Sequence, residues 1–336
     1  MEFTISLLLG LVPVFLFLTT LILLDSFKLV GLRSVIAAIV AGIAAALLSF
    51  LINSSLLEYI GVGETSYSRY IAPLVEESLK AVYVMYLIIS KRVGFLVDAA
   101  IYGFAIGSGF AAIENIYFFN ALSHTSIVLW LVRGLGTAVM HGGTTAVLAI
   151  IVQGISERHA HGKLGAYLPG LGAAIAIHSF FNHFFLPPIL MTVVLVCALP
   201  IIMMTAFRQS EIATRQWLGV GLDSDVEMMR ALTDGTFTSS HIGQYLGVLR
   251  DKFAGEIVAD MLCLIRIRTE LSIKAKVILM MKEAGYKPEP DPEVKEKFEE
   301  LKFLETSIGK TGMLAMAPVF HTSSRDLWQL HMLGKS

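Results

Sequence analysis

Charge is what this sequence is short of. Only 16% of its 336 residues are Asp, Glu, Lys or Arg, against about 25% in an ordinary soluble domain. Just 18 of the 53 charged side chains fall in residues 1–207. Together with 55% hydrophobic residues and a mean hydropathy of +0.70, that scarcity excludes a soluble enzyme, a disordered chain and a collagen-like one. Cysteine is scarce too: Cys197 and Cys263 are the only two, too few for a disulfide framework. A net charge of −1 and the lack of a basic stripe give no argument for nucleic acid as a partner. No Lys or Arg precedes the first apolar run, and Ile5 to Leu24 is too long for the core of a signal peptide. It reads as a span that stays in the membrane.

Long apolar runs are what the chain does have. A membrane span needs roughly 20 such residues, and seven segments qualify: 3–24, 34–53, 71–90, 95–119, 127–154, 164–186 and 187–207. One set of connections carries Lys28, Arg33, Lys91, Arg92, Arg158, Lys163, Arg208 and Arg215, while the other carries Arg69 alone. Basic residues favour the cytoplasmic side, so the N-terminus is expected outside and the tail inside. The expected architecture is all-α: a polytopic membrane helix bundle of about seven spans, residues 1–207, with a cytoplasmic helical domain, residues 208–336. The bilayer expected around it is the plasma membrane.

The tail carries helix signals of its own. Ser224-Asp225-Val226-Glu227 has the capping-box pattern, and Asp291-Pro292 offers an N-cap followed by proline at the first helical position. Ile242, Leu246, Leu249, Phe253, Ile257, Met261 and Leu264 recur at three- and four-residue steps, as on one face of a helix. A charged helix is expected from Glu293 to about Leu304. The apolar stripe needs a cover, either the later helices Glu293–Leu304 and Arg325–Leu333 or a second copy of the tail. Homo-oligomerisation through the tail is therefore one expectation.

Ionisable groups inside spans cost about 2.5–3.5 kcal/mol each on insertion scales, so each needs a reason. The third span contains Glu76-Glu77-Ser78-Leu79-Lys80, with Lys80 about 40° and 60° around a helix from the two acids. Proline and acid at a first helical turn explain one such acid more readily than two adjacent ones. The fourth span has Glu114-Asn115 after small residues at Ala99, Gly103, Gly107 and Ala111, a spacing that lets another helix approach closely. The fifth carries Arg133 and His141. The sixth has His178 and Asn182, four apart on one face, with His183 turned about 140° away. Snorkelling explains Arg133 on its own, and a lone histidine is usually a satisfied core residue. Depth argues for more: at about 1.5 Å per residue, Glu76, Glu77, Glu114 and His178 all fall roughly 8–12 Å below the outer ends of their spans.

Two imidazoles and a carboxylate make a zinc set with one position open. His141, His178 and Glu114 are the candidate ligands, and Glu76 or Glu77, beside Lys80, is the candidate general base. A metal-free alternative has Glu77 activate water while His178 and Asn182 stabilise the oxyanion. H-E-x-x-H, G-x-S-x-G and paired intramembrane aspartates are all missing, which disfavours three better-marked protease types. Taken in order, Glu76-Glu77-x-x-Lys80, Phe110-x-x-x-Glu114-Asn115, Arg133 with His141, and His178-x-x-x-Asn182 resemble the four motifs of PrsW-type intramembrane proteases. That family shares a superfamily with the CAAX prenyl endopeptidases and a gamma-secretase subunit. The resemblance spans about residues 65–190. It implies a bacterial or archaeal protease that cuts membrane proteins, such as anti-sigma factors, on the outer side, with Glu76, Glu77, Glu114, His141 and His178 as functional residues. A non-catalytic scaffold subunit and a proton-coupled transporter are the rival readings.

Overall fold

The computed structural model describes residues 2–25, 27, 30–121, 132–158, 165, 167–289, 291–320 and 324–334. No strand occurs among them. The chain divides into two compact units, Met1–Glu211 and Ile212–Ser336.

The first unit contains α1 (Glu2–Leu24), α2 (Leu32–Ile60), α3 (Ala72–Ile89), α4 (Leu96–Ala121), α5 (Ala138–Arg158), α6 (Leu168–His183) and the beginning of α7 (Pro188–Asp234). A π-helical turn, Tyr67–Ile71, leads into α3, and another, Val132–Thr137, leads into α5. Among the described residues, four helices, α2, α4, α5 and α7, are long and apolar enough to cross a membrane, and Gly10–Leu24 of α1 is a shorter apolar helix. Of the other two expected spans, α3 carries Glu76, Glu77 and Lys80, and α6 has 16 residues. The expected starts at 127 and 164 lie outside the described residues, as do Lys28, Lys163 and the side chains of Arg133 and Arg158.

Helix α4 is the axis of this unit. Its apolar window is 89% buried, against 33% for α2 and 28% for α7, so the helix that carries Asp98 and Glu114 is the most enclosed of the four. Asp98 is tolerated because its Oδ2 accepts the backbone N–H groups of Gly94 and Phe95 at 2.9 and 3.2 Å, capping donors that the helix start leaves unpaired. The small-residue stripe does what its spacing predicts. A Cβ on Gly107 would lie 2.1 Å from the His141 carbonyl oxygen of α5, and one on Gly42 of α2 would lie 1.9 Å from the Ile106 carbonyl oxygen of α4. These are backbone contacts that cannot swing aside. Gly107→Val is expected to cost at least the roughly 1–3 kcal/mol of an overpacked core and to displace His141. Thermal unfolding in detergent checks it, with an unchanged midpoint as the contrary outcome.

The outer faces are apolar. Ile36, Val40, Leu47 and Leu51 on α2, with Ile189, Val193, Ile201 and Met204 on α7, are all exposed. Apolar surface of that extent is stable in lipid and not in water, which makes this a membrane protein.

Two tail expectations need correction. The capping box at Ser224 does not start a helix, because α7 runs unbroken for 47 residues through Pro200, Arg208, Arg215 and Ser224 to Asp234. Inside a continuing helix the N–H groups already have carbonyl partners, so a cap has no orphan donor to satisfy. Arg208 and Arg215 therefore lie on a helix and not in a loop. Likewise the stripe from Ile242 to Leu264 is divided between α8 (His241–Leu249) and α9 (Gly255–Glu283). Ser240 caps α8, its side chain accepting from the Gly243 N–H.

Asp291 and Pro292 do start a helix: α10 (Pro292–Met316) begins with the Asp291 side chain accepting the Glu293 N–H at 3.0 Å. It extends well beyond Leu304. The apolar stripe finds its cover within the unit. Leu246, Leu249, Met261 and Leu264 are buried against Val294, Leu301 and Leu304 of α10 and Leu333 of α11 (Ser324–Leu333).

A rim network ties α9 to α10: Glu270 accepts from Lys297 and from Arg266. Burial pushes the Glu270 carboxyl up, but the Lys297 and Arg266 bonds outweigh it and hold the group below its usual range. A carboxylate depressed in the folded state stabilises at pH above its unfolded value of about 4.3, and that stability is lost as pH falls through the folded value. Acid unfolding of the second unit should therefore shift to higher pH in Glu270→Gln. Hydrogen exchange across α9 measures it, and superimposable pH profiles would contradict it.

Candidate active site

The start of α3, the end of α4, the start of α5 and the end of α6 meet at one end of the first unit, where Glu77 and Lys80, Glu114, His141 and His178 come together. Because the π-helical turn 67–71 runs straight into α3, no acid lies in the first turn of that helix. The first-turn explanation for Glu76 and Glu77 falls away.

Lys80 is the hub. Its Nζ donates to Glu77 Oε1 at 2.7 Å and to His141 Nδ1 at 2.8 Å, and sits 4.0 Å from the centroid of the Phe110 ring. Glu77 and Lys80 are fully buried, and His141 and His178 nearly so. A buried ammonium keeps its charge only when paired, and here a carboxylate, an imidazole and a ring face surround it. Lysine has no acceptor, so His141 accepts at Nδ1 and carries its proton on Nε2, which donates to Glu114 Oε2 at 2.5 Å. His178 donates from Nδ1 to Glu77 Oε1 at 2.8 Å, which leaves Nε2 as the lone-pair nitrogen, 3.8 Å from Glu76 Oε2. The two imidazoles meet edge-on, centroids 4.8 Å apart.

The two adjacent acids are thus in different situations. Glu77 Oε1 faces Lys80, His178 and the Thr144 hydroxyl (3.4 Å), while its Oε2 is buried with no hydrogen-bond partner among the described residues. The Glu76 side chain is 15% exposed and that of Glu114 26%, so these two stand at the mouth. Donor atoms of Glu76, His141 and His178 all lie within 4.8 Å of one another. That is a compact set of two imidazoles and a carboxylate, and it fits a small divalent cation of borderline character. Glu114, expected as a ligand, lies at hydrogen-bond distance from His141.

Asn182 is the sequence candidate the fold does not bring into this network; its amide donates to the Ser68 carbonyl at 2.8 Å. Three participants were missed. Asn53 donates to Glu76 Oε1 at 3.2 Å, Tyr67 donates to Asn53 at 3.0 Å, and Thr144 faces Glu77. Thr144 was findable, three residues past His141 on the same helix face. Tyr67 left no signal.

Residues 31–205 match the PrsW family of intramembrane metalloproteases. The chain belongs to that family. Comparison with curated proteins and with solved structures returned no match. Membership makes the protein an intramembrane peptidase whose substrates are membrane proteins in a lipid bilayer, and the scaffold and transporter readings are set aside. The four motifs that suggested PrsW from sequence all fall inside the matched range, as does every side chain of the network around Lys80.

Proposed function

We propose that this PrsW-family protease cuts single-pass, anti-sigma-factor-like proteins near the outer surface of a bacterial or archaeal plasma membrane, using the Glu/His centre built around Lys80. The observation that carries the reading is the convergence of Glu76, His141 and His178 donor atoms within 4.8 Å, beside the wholly enclosed acid Glu77. Zinc is the metal this donor set suits best. His141, His178 and Glu76 would hold it. To bind it, His141 would release the hydrogen bond its Nδ1 accepts from Lys80, while Glu114 on the Nε2–H keeps the ring oriented, as carboxylates behind metal-bound histidines do. Bound there, zinc supplies Lewis acidity and lowers the pKa of water.

The chain's own groups do the rest. Glu77 Oε1 is occupied, so Oε2 is the atom that takes the proton from attacking water and returns it to the departing amine. The Lys80 ammonium, fixed beside it, favours the negative charge that develops at the reacting carbonyl. Asn53 and Tyr67 hold Glu76 in position.

The basic residues of the connections support an N-terminus outside and residues 208–336 in the cytoplasm, which sets the catalytic end near the outer face. The test is reconstitution of the full chain with a panel of single-pass reporters and mapping of the cut by mass spectrometry. Cleavage within a few residues of the outer boundary is expected, and a cut on the cytoplasmic side would overturn the orientation. Self-association through the tail is tested by the mass of the full chain in detergent, where a monomer would remove it.

A further inference from the structure

Pro73 stands at the join between the π-helical turn Tyr67–Ile71 and α3, and it disturbs the backbone ahead of it. The Ala72 N–H, which in an α-helix would go to the Ser68 carbonyl, bonds instead to the Tyr67 carbonyl. In that wider register the donor for the Ser68 carbonyl would be residue 73, which in the α register would be the donor for the Arg69 carbonyl. Proline has no N–H to give to either. Two adjacent carbonyls thus lose the same donor.

Both carbonyls are met from α6. The Asn182 amide donates to the Ser68 carbonyl at 2.8 Å, and the Ser179 hydroxyl donates to the Arg69 carbonyl at 2.6 Å. Between the same two segments the Tyr70 and His183 rings meet edge-on, centroids 5.0 Å apart. Neighbouring side chains commonly re-satisfy carbonyls that a proline leaves open in membrane helices. Here the donors come from the helix that carries His178: Ser179 follows it directly, and Asn182 is one turn further on. The turn they hold leads straight to the acids. Tyr67 donates to Asn53 at 3.0 Å, and Asn53 donates to Glu76 at 3.2 Å.

We propose, resting on the reading that Glu76 and His178 serve one centre, that Asn182 and Ser179 are positioning residues of the peptidase site. By giving the two carbonyls the donors that Pro73 withholds, they fasten α6 to the turn that leads into α3. That fastening sets the gap between His178 on one helix and Glu76 on the other, 3.8 Å from Nε2 to Oε2. Asn182 therefore acts through the backbone of the π-helical turn and does not touch substrate. Side chains that hold ligands in place in this way are worth about 10–100-fold in metal affinity or activity. Because substrate meets neither residue, the loss falls on kcat and leaves KM in place.

The experiment uses the full chain in nanodiscs with a single-pass reporter, and compares each substitution with and without Pro73→Ala. Asn182→Leu removes the donor at nearly constant volume and should lower kcat about 10–100-fold. In the Pro73→Ala background residue 73 has an N–H to offer, so the same substitution should cost less than about threefold. Ser179→Ala should lower kcat as Asn182→Leu does, and Ser179→Thr, which keeps the hydroxyl, should not. Hydrogen exchange over residues 67–76 reads the fastening itself and needs neither metal nor substrate. It should quicken in Asn182→Leu and slow again when Pro73→Ala is added. A chain that cleaves no reporter would defeat the reading of the centre, and exchange unchanged by Asn182→Leu would then overturn the fastening on its own. An equal loss of kcat in both backgrounds would also overturn the proposal, because Asn182 would then act on substrate directly. So would Asn182→Leu cleaving at the wild-type rate.

Discussion

Glu77→Gln should reduce cleavage of a single-pass substrate by about 10²–10⁴-fold, the usual worth of a general base. The amide keeps the shape of the side chain and an oxygen for Lys80, and lacks the basic Oε2. Interpretation needs one control, because Lys80 is fully buried and would lose its counter-charge. Breaking one partner of a buried ion pair typically costs about 3–5 kcal/mol, so Glu77→Gln alone is expected to lower the unfolding midpoint as well. Glu77→Gln combined with Lys80→Met removes both charges. It should recover much of the stability and none of the activity, which separates a catalytic loss from a folding one. Cleavage at the wild-type rate in Glu77→Gln would exclude the base role, and recovery of activity with stability in the double variant would make the acid purely structural.

Metal content should follow the histidines. Purified protein is expected to hold about one zinc per chain, as a single three-ligand donor set with one open position would. His141→Ala and His178→Ala should each abolish binding, along with the added thermal stability that a ligand of the native state confers. Glu114→Gln should weaken binding by about 10–100-fold, the effect of removing an orienting carboxylate behind a ligand. Complete loss of metal in that variant would restore Glu114 as a ligand in its own right. Elemental analysis by mass spectrometry gives the stoichiometry, and a chelator titration gives the affinity. Full cleavage after exhaustive chelation, with no metal detected, would defeat the zinc assignment and favour water activation by Glu77 alone.

These two expectations rest on different sources. That Glu77, Lys80, His141 and His178 are candidates could be read from the sequence, because a polar or charged group inside an apolar span is costly enough to demand a cause. That Glu77 is the enclosed acid and Glu76 the one at the mouth could not. Adjacent residues point about 100° apart on a helix, and only the helices packed around α3 determine which direction is interior. Lys80 and His141 are 61 residues apart, and no spacing rule links them. Asn182, expected at the oxyanion, donates to the Ser68 carbonyl, which the π-helical turn before α3 presents to it, and no spacing along the chain links the two.

The sequence by itself determined the solvent, the element type and the close approaches. Apolar content over runs of about 20 residues is a property of composition, and small residues every fourth position bring α4 against α5 whatever else surrounds them. It also determined the start of α10, since Asp291 and Pro292 act within one turn. Tertiary structure alone decided where α7 ends, because a cap such as Ser224 works only where the preceding turn is not helical. It decided the break between α8 and α9 over residues 250–254, which an uninterrupted apolar stripe conceals. It also decided which polar groups share a partner around Lys80. Desolvation and pairing depend on neighbours contributed by other helices, and the order of residues along one helix does not contain them.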